Sequence, residues 1–325
     1  MKTYEFAVLG PGAIGSIVGA HLARAGHSVV MLARARRAEQ IRSEGLKITG
    51  LAQFATPVEV LSEPGQLGGA RVLIVAMKTP GTADALAALR QASIDVALSI
   101  QNGPVKNELL SEAFGEQRVL GALADTSGEL LPSGEVVFTR NVNLMLGELS
   151  GEMTERVRRI ASEINASGVR ATAVDRIRSL EWSKFTAWVG FMALSVTTRA
   201  VTWRYLTDPD SALVVARLTR EMGQLASALK IDLTDESVLP VATICSGGED
   251  DAVAAVMKVG REYEQRAPGH RMSSLQDLDA KRPLEVHETL GYAVRKAAQN
   301  RVPMPLVEAF YHVISAVDRQ NLVRS

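Results

Sequence analysis

A glycine pattern near the amino terminus constrains the fold of this chain more than any other feature. The apolar, β-rich residues 4–9 run directly into Gly10, Gly12 and Gly15, and a helical periodicity follows over residues 13–25. In βαβ units that bind dinucleotides, the first glycine permits a tight turn, the second lets the backbone approach a diphosphate, and the third allows close helix packing. The pattern therefore predicts a dinucleotide site, and the alternative is a glycine-rich turn without a ligand.

The diphosphate of such a cofactor would lie on main-chain N–H groups at the start of the helix. The first amides of a helix have no partner within it, and they stand at the positive end of the helix dipole. Ala13 and Ile14 occupy these positions. We therefore expect Gly10, Gly12, Ala13, Ile14 and Gly15 to bind the cofactor.

The end of the second predicted strand indicates which dinucleotide is bound. Folds that prefer NAD place an acidic residue about 20 residues after the glycines, where it binds the ribose 2′-hydroxyl. Residues 33–37 are instead Ala-Arg-Ala-Arg-Arg, and the first acid is Glu39. Because a guanidinium offers a planar set of donors that matches a phosphate, Arg34 favours the 2′-phosphate of NADPH. An exposed basic helix start is the alternative.

The organisation of the chain changes once, near Asp175. Before it, predicted strands alternate with helices: strands 71–76, 96–100, 119–123 and 169–173, helices 83–91, 105–113 and 153–164, and a hairpin of residues 135–139 and 143–146. After it, only helical periodicity remains, over residues 180–198, 211–229, 249–266, 286–299 and 305–319. This pattern predicts an α/β protein with an N-terminal Rossmann-type doubly wound sheet (residues 1–175) and a C-terminal all-helical domain (residues 176–325). A ligand site is expected in the cleft between the two domains.

Composition excludes several classes of function. A chain of 325 residues is long enough for two cores, and its 36 Lys and Arg balance its 36 Asp and Glu. That balance argues against nucleic-acid and anionic-membrane partners. The uncharged residues 6–23 are too glycine-rich to span a membrane, and residues 185–198 are too few. The single cysteine, Cys245, leaves no internal disulfide. We expect a cytoplasmic protein without a metal site.

Polar residues stand at five places where a cleft between the domains would bring them near a ligand. Lys78 and Asn102 follow two predicted core strands, at the strand ends where open α/β sheets bind ligands. Lys184 begins the long uncharged helix of the second domain, and Ser273 and Glu285 stand near the starts of two later helices. Turn residues, N-caps and first-turn acids are the alternative interpretations.

Taken in order, these segments resemble the ketopantoate reductase (2-dehydropantoate 2-reductase) family over nearly the whole chain. Members carry the N-terminal glycine pattern, a Lys after a core strand, an Asn-Gly pair matching Asn102-Gly103, and a Lys at the start of the second-domain helix. They also carry an S-S-x-L-Q-D segment, with a Glu eight residues after its Asp. Asp277 and Glu285 keep that spacing, and Ser273 lies three residues before Gln276, although the residue between the serine pair and Leu is missing.

The resemblance implies an NADP-dependent reductase that converts a small 2-oxo acid to a 2-hydroxy acid, in pantothenate biosynthesis, as a homodimer. Lys184 resembles the catalytic lysine, which stabilises the charge on the carbonyl oxygen and protonates it, and Glu285 resembles the active-site glutamate. The family pattern also places Asn102 at the junction of cofactor and substrate, Ser273 at the substrate carboxylate, and Lys78 near the adenosine phosphates or ribose.

The chain departs from the family four and eight residues after the catalytic lysine, where members usually have asparagines that bind the hydroxy acid. Trp188 and Met192 stand at these positions, and residues spaced by four share a helix face. We therefore expect an apolar, bulky substrate wall beside Lys184. This favours a more hydrophobic 2-oxo acid or another carbonyl compound, unless polar contacts come from elsewhere.

Two other functions remain open. The first is a dehydrogenase of the same scaffold with another carbonyl or opine-type substrate, the latter needing a histidine acid from among His270, His287 and His312. The second is a non-catalytic sensor that binds NADPH. Retention of Lys184 and Glu285 argues against the sensor.

Overall fold

The computed structural model describes residues 2–323, which divide into two compact units. The first unit contains the residues up to Asn102 together with Lys106–Arg178, and the second contains Gly103–Val105 together with the residues from Ser179 onward. The chain therefore leaves the first unit inside a helix, a few residues after the change in sequence pattern at Asp175.

A ten-stranded sheet forms the centre of the first unit. Its strands are β1 (Thr3–Leu9), β2 (Val29–Leu32), β3 (Leu46–Gly50), β4 (Phe54–Thr56), β5 (Glu59–Leu61), β6 (Gly69–Val75), β7 (Ser93–Ser99), β8 (Val119–Leu130), β9 (Val136–Glu148) and β10 (Ala171–Ala173). The order is β4-β3-β9-β8-β7-β6-β1-β2-β5, with β10 paired to β9. The run from β5 to β8 is parallel throughout. Because the chain winds outward in both directions from β1, the topological switch point lies between β1 and β6.

Apolar residues cover both faces of this sheet. Along β1, Phe6 and Val8 belong to one buried cluster, whereas Ala7 and Leu9 belong to another. Successive side chains of a strand point to opposite faces, so both clusters are cores between the sheet and its covering layers. The helices of this unit are α1 (Ala13–Arg24), α2 (Ala35–Glu44), α3 (Thr82–Ala87), α4 (Val105–Phe114) and α5 (Glu155–Ser167).

The long antiparallel pair of β8 and β9 differs from the sequence prediction. Residues 135–139 and 143–146 were expected as the two strands of a hairpin. Residues 136–139 and 143–146 instead lie in the single strand β9, whose partner is β8. The polar residues between them form no turn, because Arg140 makes two hydrogen bonds to Asp125 on the neighbouring strand, at 2.6 and 2.9 Å. The short strands β3, β4 and β5 were not predicted, since so few residues carry too little periodicity.

The second unit is all-helical among the described residues, as the sequence predicted. Its helices are α6 (Ile177–Thr198), α7 (Thr202–Thr207), α8 (Pro209–Ala228), α9 (Val241–Ser246), α10 (Glu249–Arg266), α11 (Ser273–Asp279), α12 (Leu290–Asn300) and α13 (Pro305–Val323). Residues 180–196 of α6 are buried except for half-buried Lys184, so the helix lies within the core. Within the described part of the chain, no helix combines the length and apolarity that crossing a membrane requires.

Candidate functional site

The glycine turn after β1 has the three properties expected of a diphosphate site. Gly10 has a φ of +93°, and a Cβ there would lie 2.6 Å from the Met77 Cβ, so a side chain would be strained and would clash. A Cβ on Gly15 would lie 2.9 Å from the Ala76 Cβ, so this glycine permits close packing of α1. Around Gly12, by contrast, no atom lies within 4 Å of the Cβ position. The turn is thus tight on the protein side and open at Gly12.

The start of α1 offers the donors that such a ligand needs. Gly12 is the N-cap residue, and no side chain caps the helix there. Ala13 and Ile14, the first helical residues, are half-buried. Uncapped amides beside open space at the positive helix end suit a diphosphate. The residues present therefore fit the dinucleotide that the sequence predicts.

The basic residues after β2 divide into two kinds. Arg34 is the exposed N-cap residue of α2, in an extended conformation with φ −103° and ψ 153°, and Arg36 is also exposed. Arg37 is half-buried, and its Nε donates to the Pro11 carbonyl oxygen at 3.1 Å. Arg34 therefore keeps its guanidinium accessible to a phosphate, whereas Arg37 is bound to the glycine turn.

Gln101 connects the loops that carry Lys78 and Asn102. Its Nε2 donates to the Met77 carbonyl oxygen at 2.9 Å and to Thr82 Oγ1 at 2.7 Å. The loop after β6, which carries exposed Lys78, is thus tied to the end of β7, which half-buried Asn102 follows. The sequence analysis does not predict this role for Gln101, because no local pattern distinguishes a buried amide of this kind.

Lys184 is fixed by the packing of its neighbours on α6. The rings of Trp182 and Phe185 are 5.8 Å apart, and both lie against Tyr292, at 6.4 and 6.1 Å. The Ser183 hydroxyl accepts a hydrogen bond from the Thr234 amide at 2.8 Å. The backbone that carries Lys184 is therefore held on both sides.

Glu285 is buried in the segment between α11 and α12, with 8% of its surface exposed. Residues 286–289, expected as the start of a helix, form a turn. The Thr289 hydroxyl donates to the Glu285 carbonyl oxygen and lies 3.7 Å from the Met192 sulfur. The amide of Leu284 donates to Asp318 at 3.0 Å. These contacts hold the Glu285 backbone against α6 and α13.

The two serines at the start of α11 have different surroundings. The side chain of Ser274 is buried, and its Oγ lies 3.2 Å from Ser195 Oγ on α6. Ser273 is exposed. Its predicted contact with a substrate carboxylate stays a prediction.

The positions four and eight residues after Lys184 differ in accessibility. Trp188 keeps 8% of its surface exposed, whereas Met192 keeps 0%. Their spacing places both residues on one face of α6. Other side chains cover that face to different extents, so the two residues differ in how much of their surface is exposed. Met192 packs as a core side chain, whereas Trp188 keeps a small exposed surface, and the expected contact of each with a substrate stays a prediction.

The three candidate histidines of the second unit all contact neighbouring side chains. His270 Nδ1 lies 2.8 Å from Thr202 Oγ1, and His287 Nδ1 lies 3.0 Å from the Tyr311 hydroxyl. The ring of His312 packs against that of Tyr311 at 5.1 Å. Across residues 2–323, no group of His, Cys, Asp and Glu could hold a metal ion.

Comparison with known proteins identifies similar sequences over both units. The family description "Ketopantoate reductase PanE/ApbA" matches residues 6–151, and "Ketopantoate reductase PanE/ApbA C terminal" matches residues 176–318. The 2-dehydropantoate 2-reductase of Archaeoglobus fulgidus is 25% identical over 318 residues, which cover 98% of this chain and 99% of that protein.

Solved structures agree with these matches. The crystal structure of 2-dehydropantoate 2-reductase from Methylococcus capsulatus has a TM-score of 0.80 at 26% identity, covering 98% of both chains. The ternary structure of D-mandelate dehydrogenase with NADH and anilino(oxo)acetate has a TM-score of 0.82 at 17% identity, covering 98% of this chain and 99% of that one. At this lower identity the similarity concerns the fold alone.

Proposed function

Since the chain belongs to the ketopantoate reductase PanE/ApbA family, and is thus an oxidoreductase acting on CH–OH groups, we propose that it reduces a 2-oxo acid to a 2-hydroxy acid with NADPH. One observation carries the proposal. Lys184 is the one charged residue of residues 182–196, and it alone among them is only half-buried. A cation kept at the accessible point of a buried apolar helix is suited to act on a substrate.

The proposed mechanism assigns the charge and proton chemistry to the protein. When bound, the nicotinamide supplies the hydride for the carbonyl carbon. The Lys184 ammonium stabilises the negative charge that develops on the carbonyl oxygen and donates a proton to it, so that an N–H bond breaks as an O–H bond forms. Glu285 positions the lysine or the substrate, and the Ser273 hydroxyl donates to the substrate carboxylate.

The proposed cofactor contacts come from main-chain amides and from side chains of the first unit. The amides of Ala13 and Ile14, next to Gly12, bind the diphosphate. Lys78 approaches the adenosine phosphates or ribose, and Asn102 lies where the cofactor meets the substrate. The fold alone does not select the cofactor, because D-mandelate dehydrogenase, which has the same fold, is found with NADH. The proposed preference for NADPH over NADH therefore rests on Arg34.

The cofactor preference is tested by Arg34→Asp. A charge-assisted hydrogen bond contributes about 1.5–3 kcal/mol, so the variant should bind NADPH roughly 10–100-fold more weakly and NADH within a few-fold of wild type. The ranking of the two cofactors should then be lost or reversed, as measured by fluorescence titration. Arg36→Asp, with the same change of charge two residues away, is the matched control. Equal Kd values for NADPH and NADH in the wild type would contradict the proposal.

The substrate proposal follows from Trp188. An indole offers one N–H donor and no acceptor, so it cannot make both kinds of hydrogen bond that an amide makes to a hydroxyl, and apolar walls discriminate by only about 1–3 kcal/mol. We therefore expect a higher kcat/KM for a bulky 2-oxo acid such as phenylglyoxylate than for ketopantoate, measured as NADPH consumption. The ternary structure of D-mandelate dehydrogenase contains a bulky compound with an oxo group beside a carboxylate, anilino(oxo)acetate.

Two variants of α6 test whether Trp188 sets this preference. Trp188→Asn should shift the preference toward ketopantoate, whereas Met192→Leu, a volume-conserving change in the core, should leave it unchanged. Circular dichroism checks the fold of each variant. A wild-type kcat/KM for ketopantoate well above that of every bulkier acid would contradict this part of the proposal.

The alternative functions are tested by the same measurement. An opine-type reaction needs a histidine acid, for which His270, His287 and His312 are the candidates, and it consumes NADPH only when an amine accompanies the oxo acid. A sensor without catalysis would consume no NADPH with any 2-oxo acid. NADPH consumption with a panel of 2-oxo acids, each assayed with and without an amine, therefore separates all three functions.

A further inference from the structure

The guanidinium of Arg37 has four hydrogen-bond acceptors on three pieces of the first unit. Its Nε donates to the Pro11 carbonyl oxygen at 3.1 Å, and Nη2 donates to Ser16 Oγ at 2.9 Å. Its Nη1 donates to Gln40 Oε1 at 3.0 Å and to the Gly134 carbonyl oxygen at 2.9 Å. Arg37 thus joins the glycine turn, α2 and the turn between β8 and β9.

The Pro11 carbonyl is the point where this arrangement acts on the glycine turn. Besides the bond from Arg37, its oxygen accepts one from the Ser16 hydroxyl at 3.1 Å, so both of its lone pairs are used. At the other end of the same peptide plane, the Gly12 amide donates to the Gly10 carbonyl oxygen at 2.9 Å. The orientation of the Pro11–Gly12 peptide is therefore fixed at both ends, immediately before the open position at Gly12.

The charge of Arg37 is not balanced by a carboxylate. All four acceptors are neutral, and among the residues that the structure describes it forms no ion pair. Burial lowers the pKa of the guanidinium, because a desolvated cation is less stable than a hydrated one. An unbalanced, partly desolvated cation makes the glycine turn electropositive, so it stabilises an anion bound there.

We propose that Arg37 is a positioning residue that, together with Ser16, keeps the glycine turn in the shape and potential that bind a dinucleotide diphosphate. It does so without contacting the 2′-phosphate, which is the role of Arg34. The inference rests on the proposed function for the identity of the nucleotide only. Because NADPH and NADH share the diphosphate, the contribution of Arg37 must be equal for both.

That equality is the test. The Kd values for NADPH and NADH are measured by fluorescence titration for the wild type, Arg37→Met and the matched control Arg34→Met. We expect Arg37→Met to weaken both nucleotides by the same factor, about tenfold, and Arg34→Met to weaken NADPH alone. A loss confined to NADPH would make Arg37 a ligand of the 2′-phosphate. Unchanged Kd values for both would make its contacts purely structural. Either result overturns the inference.

Two further variants separate geometry from charge. Ser16→Ala removes one bond to Pro11 without a change of charge, and it should weaken both nucleotides by a smaller, again equal factor. Arg37→Lys keeps the charge but lacks the planar fork that reaches several acceptors, so its affinity for both nucleotides should lie between those of the wild type and Arg37→Met. Full affinity in Arg37→Lys would show that charge alone matters, against a positioning role.

A measurement without ligand distinguishes failure of this inference from failure of the proposed function. Amide hydrogen exchange of residues 10–16 should become faster in Arg37→Met than in the wild type, while exchange in β6 and β7 stays the same. A wild-type protein that binds neither nucleotide would end the proposed function. Unchanged exchange of residues 10–16 in Arg37→Met would end the inference on Arg37.

Discussion

Replacing Lys184 with alanine is expected to lower kcat by about 10²–10⁴-fold, the usual contribution of a general acid, with the Kd for NADPH within a few-fold of wild type. The ammonium acts on the substrate oxygen in the proposed mechanism, whereas the cofactor contacts lie in the first unit. Single-turnover oxidation of NADPH, with the best 2-oxo acid of the panel, measures the change.

Three other variants define the role of the lysine. Arg178→Ala removes an exposed cation from the same helix and should retain activity. Lys184→Arg keeps the positive charge, but an arginine does not give up a proton, so charge stabilisation alone should restore only part of the rate. Glu285→Ala should impair turnover less than Lys184→Ala. A Lys184→Ala variant with most of its activity would remove the lysine from the mechanism.

The second large effect is expected on stability, at the end of β9. Glu148 is buried, and its carboxylate accepts hydrogen bonds from Arg156 Nε at 2.7 Å and Nη2 at 2.5 Å, and from Thr154 Oγ1 at 2.5 Å. Breaking a fully buried ion pair costs about 3–5 kcal/mol. Because 31% of the Arg156 side chain is exposed, we expect Arg156→Met to lower the free energy of unfolding by about 2–3 kcal/mol.

The effect of Arg156 should depend on pH. Burial raises the pKa of Glu148, but the hydrogen bonds from Arg156 and Thr154 outweigh it and hold the pKa below its ordinary value. A lowered pKa in the folded state gives stability that is present above the pKa of the unfolded chain and is lost as pH falls. The difference between wild type and Arg156→Met should therefore be full at pH 7 and shrink below about pH 4.5.

Urea unfolding at pH 7 and pH 4 measures this difference. Arg159→Met, an exposed arginine on the same helix, is the matched control and should change stability by less than about 0.5 kcal/mol. A double change with Glu148→Gln should cost less than the sum of the single changes, because no charge is then left buried and unpaired. Additive effects would show that the two side chains do not stabilise each other.

Much of the fold could be predicted because its signals are local. The glycine turn, the parallel strands beside β1 and the long helices of the second unit each follow from patterns of neighbouring residues. The hairpin prediction was wrong because Arg140, Asn141 and Val142, between the two alternating segments, look like a turn when isolated. Only the pairing with β8, and with it the bonds from Arg140 to Asp125, makes them part of a strand.

The candidate site, like the fold, could be predicted from the sequence only in part. The resemblance to a family pattern brought Lys184, Ser273 and Glu285 together as candidates, and their roles stay predictions. Spacing could not show that Met192 has no exposed surface, because burial depends on what covers the helix. It also could not identify Gln101, whose amide bonds to Met77 and Thr82 require two strands side by side.

By itself, the sequence determined the chemistry available to this protein: a dinucleotide turn, arginines in place of an acid, and a lysine in an apolar helix. These properties belong to residue types and short spacings. Only the tertiary structure distinguishes the surroundings of the two arginines. Arg37 reaches the carbonyl of Gly134, which is 97 residues away in the chain, whereas Arg34 remains exposed to solvent. The two differ because hydrogen bonds and burial depend on distance in space, and folding alone sets that distance.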